Sequence, residues 1–303
     1  MLFEHVVCNL CSSEDFKILY KNNLNIDDHA DIQHFVCTNS NFSRHGQIVK
    51  CGKCGLVYTN PRLKSEYVYR QYQAAIDPVY LAEKKGRHLT FTHSLNEIEE
   101  LAPKGKILDV GCYAGFFLEV AKERGWQIYG LEPSVWASQY ARDTLGLDIK
   151  TAAFEQAGFS EKEFDVVTLW DTLEHLMSPV GTLKQVHRVL KDEGLICAST
   201  INIDSLFARV LGGKWPQLMQ MHMYYYSPDT LSKLFTRCGF KITSIRSHKR
   251  VLRAGYLIGK IGHFSSKLSN ILSLLSKKLG IDNFPVTVDF GDLITIYAKK
   301  LKI

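Results

Sequence analysis

The chain has 303 residues, 46% hydrophobic and 22% charged, with a formal net charge of +6. That length suits two domains, one large enough to bury a cofactor crevice, and the composition excludes a disordered or low-complexity protein. The mild positive charge fits an anionic substrate, a membrane surface or RNA and selects none of them, while no run of about 18 uninterrupted apolar residues offers a membrane span.

The N-terminal stretch "MLFEHVVCNLC" lacks the basic start and apolar run of a secretory signal. Of the eight cysteines, four are scattered and four are paired by spacing, which suits a reducing cytoplasm better than a disulfide framework. The pairs are Cys8 and Cys11 in "CNLC" and Cys51 and Cys54 in "CGKCG". Each presents two thiolates from one tight turn, as a tetrahedral zinc site requires; four buried or redox thiols are the alternative, and Cys37 is a spare thiol between the pairs. Zinc held by four sulfurs has no open position, so it would be structural, closing residues 1–62 into a ribbon.

Residues 63–100 are charged and aromatic, with helical spacing broken at Pro78 and Gly86, which predicts two or three helices bridging ribbon and core. Tyr67, Tyr69, Tyr72 and Tyr80 form either a lid over a site or a packed stripe. From residue 101 strands and helices alternate through "KILDVG", "FFLEVAKERG", "QIYGLEP", "VWASQYARDTLG", "DIKTA", "FDVVTLWD", "GTLKQVHRVLKDEG" and "LICAST". That order predicts an α/β fold with a parallel doubly wound sheet. Ligands of such sheets sit at the carboxyl ends of the strands where the order reverses, which places Asp109, Gly111, Tyr113, Gly115 and Glu132 at a crevice.

In a dinucleotide loop the middle glycine lets the backbone approach a pyrophosphate, and here Tyr113 takes its place. The exchange disfavours NAD and permits a cofactor without phosphates. S-adenosylmethionine is one, with Glu132 on its ribose hydroxyls and Asp109 receiving its amino group directly or through water. A purely structural strand-to-helix turn is the alternative.

The segments "ILDVGCYAGFFLEVAKERGWQIYGLEPS", "FDVVTLWDTLEHL" and "LKDEGLICAST" resemble class I S-adenosylmethionine-dependent methyltransferases over most of residues 101 to 246, departing from the first-loop pattern Asp-x-Gly-x-Gly-x-Gly only at Tyr113. The resemblance implies a Rossmann-like sheet in residues 101–303, the adenine near Ala153 to Glu155, and the methionine moiety near Trp170 and Asp171. The ribbon with "CGKCGLVYTNPR" is similar to a zinc-bearing subgroup that includes sugar methyltransferases and enzymes of bacterial polysaccharide pathways.

A hydroxyl or carbon acid methylated by such an enzyme needs a base. His175 in "WDTLEHLMSP" and His222 in "WPQLMQMHMYYYSPDTL" are candidates, because imidazole titrates near neutrality. The alternatives are a helix-start residue for His175 and a loop residue packed on Tyr224 and Tyr225 for His222. Similar zinc-bearing sugar methyltransferases use histidines and a tyrosine from this vicinity, which carries the catalytic expectation to His175, His222 and Tyr225. Similar sugar C-methyltransferases also have a further domain beyond the strand corresponding to "IYAKK", so the resemblance leans to O-methylation.

Before that last strand, residues 250–284 form an insertion, and no acidic residue occurs from Thr230 through Ile281. Leu257, Ile261, Phe264, Leu268, Ile271, Leu272 and Leu275 recur at helical intervals among Lys260, Lys267, Lys277 and Lys278, with a break expected near Ser265. This basic amphipathic pattern suits either a membrane interface or packing on the protein's own sheet or a dimer partner. The expectation is therefore a cytoplasmic methyltransferase, peripheral at the inner membrane face if the insertion binds lipid. It would have a structural zinc ribbon and act on a sugar of a nucleotide-linked or lipid-linked glycan. An RNA methyltransferase is disfavoured by the ribbon's few clustered Lys and Arg, and a non-catalytic scaffold is the third alternative.

Overall fold

The computed structural model describes residues 2–25, 32–38, 42–262 and 265–302. In chain order the N-terminal part carries β1 (Phe3–Glu4), β2 (Phe16–Tyr20), β3 (Ile48–Cys51), β4 (Val57–Thr59) and β5 (Arg62–Leu63). Helices α1 (Ser65–Ala74), α2 (Pro78–Ala82) and α3 (Lys84–Leu101) follow. The core runs β6 (Lys106–Val110), α4 (Phe116–Glu123), β7 (Gln127–Leu131), α5 (Val135–Asp143), β8 (Ile149–Lys150), β9 (Phe164–Leu169), α6 (Pro179–Val189) and β10 (Leu190–Ile201). Next come α7 (Leu206–Leu211), β11 (Tyr224–Tyr225), α8 (Pro228–Arg237), β12 (Phe240–Ser247) and β13 (Arg250–Arg253). The chain closes with α9 (Ala254–Ile261), α10 (Ser266–Lys278), β14 (Pro285–Val288) and β15 (Leu293–Lys300).

Seven strands form the central sheet in the order β12-β15-β10-β9-β6-β7-β8, and β15 runs against its neighbours β10 and β12. The chain moves outward from β6 through β7 to β8, then returns to lay β9 and β10 on the other side of β6, so the order reverses between β6 and β9. This is the doubly wound Rossmann-like arrangement, with its crevice at the carboxyl tips of those strands. Alternate residues feed opposite cores: Leu108, Val167 and Ile196 one face, Ile107, Val166 and Leu195 the other. Burial on both faces is why these strands read as continuous apolar runs.

Local expectation and tertiary result part at several points. Pro78 opens α2 as expected, but Gly86 does not break the chain; it lies inside α3, where an added Cβ would come 2.5 Å from the Val251 carbonyl oxygen. The glycine is there for close approach of β13. Helix α6 stops at Val189, short of the expected "KDEG", because Leu190 is already extended and Glu193 adopts φ +61°. Residues 1–62 also do not close on themselves: β11 adds to the edge of β4, giving a sheet β11-β4-β3-β2. Arg62 Nη1 donates to the Met177 carbonyl at 2.7 Å, and the Val180 N–H donates to Asn9 Oδ1 at 3.0 Å. The ribbon and the doubly wound domain thus share strands and hydrogen bonds.

Candidate active site

The turn after β6 takes its shape from two glycines that serve packing. Gly111 has φ +76°, and a Cβ there would meet Thr172 Oγ1 at 2.8 Å; Gly115 has φ +80°, and a Cβ would meet Leu147 at 2.7 Å and Ala141 at 3.1 Å. Gly111 lines the cavity described below, whereas Gly115 faces α5 and β8 and is a packing residue, not a cavity residue. Tyr113 holds φ +46°, with its ring edge-on to Tyr80 at 4.4 Å between centroids. Its backbone N–H donates to Glu132 Oε2 at 2.8 Å, and the Ser134 N–H donates to Glu132 Oε1 at 2.7 Å. Those two bonds aim the carboxylate from the tip of β7 while leaving each oxygen a further lone pair. Burial raises Glu132 to about 7. Asp109, at the tip of β6 and 1% exposed, accepts from Thr168 Oγ1 at 2.7 Å and is likewise raised by burial to about 7.

A cavity of about 650 Å³ joins these carboxylates to Glu155, Trp170 and Asp171, within the usual range for cofactor sites. Trp170 Nε1 is buried in its wall without a hydrogen-bond partner among the described residues. Asp171, at φ +48°, accepts from Ser199 Oγ at 2.8 Å. Burial opposes its ionisation, but Arg250, His248 and Arg87 hold its carboxyl below the usual range. Arg87, from α3, stacks its guanidinium 3.6 Å over the Tyr80 ring, and its Nε is buried with no hydrogen-bond partner among the described residues. Both Arg87 and Arg250 line the cavity. Unpartnered buried donors beside two acceptor carboxylates form a wall that suits a polar zwitterionic ligand, and S-adenosylmethionine fits that donor and acceptor set.

The other end of the cavity holds the two histidines. Their rings lie edge-to-face with centroids 4.8 Å apart. His175 Nδ1 is 3.0 Å from the Met221 carbonyl and 2.9 Å from Tyr72 Oη; His222 Nδ1 is 2.7 Å from the Gln217 carbonyl. A carbonyl only accepts, so the geometry assigns the proton to each Nδ1 and leaves each Nε2 a lone pair. Burial lowers His175 to about 4; burial and the adjacent His175 lower His222 to about 3. Both imidazoles are neutral at physiological pH. Glu174, raised to about 8 by burial and by Asp171, accepts from Thr200 Oγ1 at 2.8 Å beside them. Tyr225 packs edge-on against His222 with ring centroids 6.2 Å apart, but it is 0% exposed, its hydroxyl donates to the Met219 carbonyl at 3.2 Å, and it does not line the cavity. Tyr72 is the tyrosine that reaches His175. The sequence placed it only among four lid candidates, and nothing local marked Arg87 or Arg250.

The four paired cysteines converge. Cys8 Sγ lies 3.4 Å from Cys54 Sγ, Cys11 Sγ lies 3.5 Å from Cys51 Sγ, and all four fall within 4.8 Å of one another. Zinc–sulfur bonds of about 2.3 Å place tetrahedral sulfurs about 3.8 Å apart, so the cluster has the dimensions of one tetrahedral ion. Burial opposes ionisation of Cys51, but the backbone N–H groups of Cys54 and Lys53 outweigh it and bring the thiol down to about 7. Cys37 is no spare ligand; it lines the large cavity instead.

A doubly wound sheet in this strand order, with buried carboxylates at the tips of β6 and β7 opening on one cavity, is the arrangement of a class I S-adenosylmethionine-dependent methyltransferase. Residues 82–245, more than half of the chain, match the family described as methyltransferase domain, and the chain belongs to that family. Among curated relatives, the ubiquinone biosynthesis O-methyltransferase of Azoarcus sp. is 30% identical over 154 residues, which cover 46% of this chain and 66% of the relative, just under two thirds of its length. The protein of the same name from Aliivibrio fischeri is 28% identical over 171 residues, 51% of this chain and 72% of the relative. Among solved structures, a methyltransferase of Thermotoga maritima described as a possible histamine N-methyltransferase shares 19% identity, covers 72% of this chain and 91% of its own, and has a TM-score of 0.49. At that score the fold assignment rests on the strand order itself. Among the described residues no helix is long and apolar enough to cross a membrane.

Proposed function

We propose that the chain methylates a hydroxyl group of a sugar in a nucleotide-linked or lipid-linked glycan, and that its cysteine cluster holds one structural zinc. S-adenosylmethionine supplies an electrophilic methyl group on a sulfonium. Glu132 would accept from the ribose hydroxyls, Asp109 from the amino group, and Arg87 would meet the carboxylate, the groups being matched in charge and already gathered around Tyr80. With the cofactor so oriented, positioning supplies much of the rate.

The observation that carries the reading is the pair of neutral imidazoles, each fixed through Nδ1 on a carbonyl, in one chamber with those carboxylates. Nε2 of this pair receives the acceptor proton. A neutral imidazole with a free Nε2 lone pair suits a hydroxyl whose proton becomes acidic as its oxygen attacks. The resemblance leans to O-methylation over C-methylation. The resemblance of the ribbon supports the sugar, and the aromatic wall of Phe35, Tyr69, Tyr72 and Phe91 suits a sugar face. A second reading, a hydroxyl acceptor of quinone biosynthesis, is favoured by the names of the two curated relatives.

Labelled methyl transfer into extracts separated into nucleotide sugars, lipid-linked glycans, quinone lipids and RNA distinguishes them. Label in either glycan fraction, lost in His222→Ala with S-adenosylmethionine affinity unchanged, is the expected result. Label confined to quinone lipids or RNA overturns the sugar assignment, and unchanged turnover in His222→Ala removes that residue from the mechanism.

A further inference from the structure

The hairpin of α9 and α10 packs with its apolar face outward. Helix α10 turns its small residues inward: Ser269 is 9% exposed and donates to the Ile258 carbonyl at 2.9 Å, and Ser276 is 2% exposed with its hydroxyl 3.2 Å from Asp282 Oδ1. About 110° around the helix from those serines, Leu268 is 47% exposed, Ile271 56%, Leu275 49% and Leu279 68%. At about 100° per residue these four fall within an arc of about 80°. Leu274 at 71% exposure, Lys267 and Lys278 lie along one edge of that arc, and Phe284 at 63% follows the helix. Phe264 lies outside the described residues. An apolar face on this scale is not the scatter of single exposed side chains that ordinary surfaces show.

Its chemistry names the occupant. From Thr230 through Ile281 the chain has no acidic residue, so every charge on α10 itself is positive, and the carboxylate of the following Asp282 is turned toward Ser276 and Gly255. Lysine stems lie along apolar surface and lift the ammonium into a headgroup layer, while leucines enter the acyl boundary. The hairpin is rooted in the cavity wall: Arg250 of β13 lines the cavity, and Lys260 of α9 donates to the carbonyl of Thr38, the residue after the cavity-lining Cys37.

We propose that the α9–α10 hairpin docks the enzyme on an anionic lipid bilayer. Flotation of the full chain with phosphatidylcholine vesicles, with and without phosphatidylglycerol, tests it, alongside light scattering of the protein alone. The wild type floats only with the phosphatidylglycerol vesicles. Ile271→Glu/Leu275→Glu abolishes flotation, and each charge removed in Lys267→Gln/Lys277→Gln/Lys278→Gln lowers partitioning roughly fivefold. S-adenosylmethionine affinity by calorimetry stays at the wild-type value in both variants, which shows that the fold is intact. No flotation, equal flotation with both vesicle types, or equal flotation of the glutamate variant overturns the proposal. So does a dimer that the glutamate variant splits and that binds no vesicle, which would assign the face to a second copy of the chain. Because no methyl transfer is read, failure here leaves the proposed reaction standing.

Discussion

Replacing Glu132 by alanine removes the carboxylate that shapes the first loop and that, in the proposed site, would face the cofactor's sugar. In the free protein its oxygens hold the Tyr113 and Ser134 N–H groups at 2.8 and 2.7 Å. In the proposed cofactor site its remaining lone pairs would accept the two ribose hydroxyls. Hydrogen bonds to a charged group contribute about 1.5–3 kcal/mol each, so losing two weakens cofactor binding by about 3–6 kcal/mol. At about 1.4 kcal/mol per decade, the Kd rises roughly 10²- to 10⁴-fold. The Tyr113 and Ser134 donors border the cavity, where water can replace the lost oxygens, so the fold itself survives. Calorimetric titration with S-adenosylmethionine and with S-adenosylhomocysteine reads the effect. The two losses should match, because the ribose is common to both ligands. A Kd within threefold of wild type for either ligand refutes the assignment of Glu132, and with it the placement of the nucleoside at the tip of β7. Glu132→Asp, one methylene shorter, falls between.

Asp109 and Glu132 are both raised to about 7, so the folded apoprotein holds protons that the unfolded chain releases near pH 4. Their contribution to apoprotein stability is present below that unfolded value and lost as pH rises through 7, whereas cofactor binding favours the ionised forms. Melting curves should therefore show a larger upward shift with S-adenosylmethionine at pH 8 than at pH 6, and an equal shift at both would contradict the cavity electrostatics. Metal analysis of the purified chain should give one zinc per chain, and Cys51→Ser should release it and lower the melting temperature, since β3 and β4 support β11; retained zinc in that variant would exclude Cys51 as a ligand. Gly86→Ala drives a Cβ to 2.5 Å from the Val251 carbonyl and should cost about 1–3 kcal/mol of stability by overpacking; an unchanged urea midpoint would show that β13 yields freely.

Whatever depends on one strand and the turn after it was legible in the sequence. Asp109 and Glu132 end adjacent parallel strands, and the alternation of strand and helix already places both at the switch point. The cysteine spacing announced its own convergence for the same reason, each pair being a local turn. The acceptor end was only half legible. His175 and His222 meet because β9 and β10 are neighbours in the sheet and the loops after them fold toward each other, while Tyr72 arrives from α1. Tyr225, expected from the resemblance, lies in the core with Ile48 and Trp215 because β11 pairs with β4, and its ring packs edge-on against His222.

Helical periodicity in α10 located its amphipathic axis but not which end of the axis points inward. That sign is set by the partner. Helix α9 has no fully buried residue, and a Cβ on the following Gly262 would lie 3.3 Å from Ser269 Oγ. At that close approach the serine side satisfies its own hydroxyl, as Ser269 does on the Ile258 carbonyl, whereas leucines turned inward there would hold the helices apart. Small residues therefore claim the helix–helix contact, and the apolar arc is left outward by default. A pattern that in an ordinary globular helix marks the core here marks the surface, which is why the same residues that predict burial also supply the docking face.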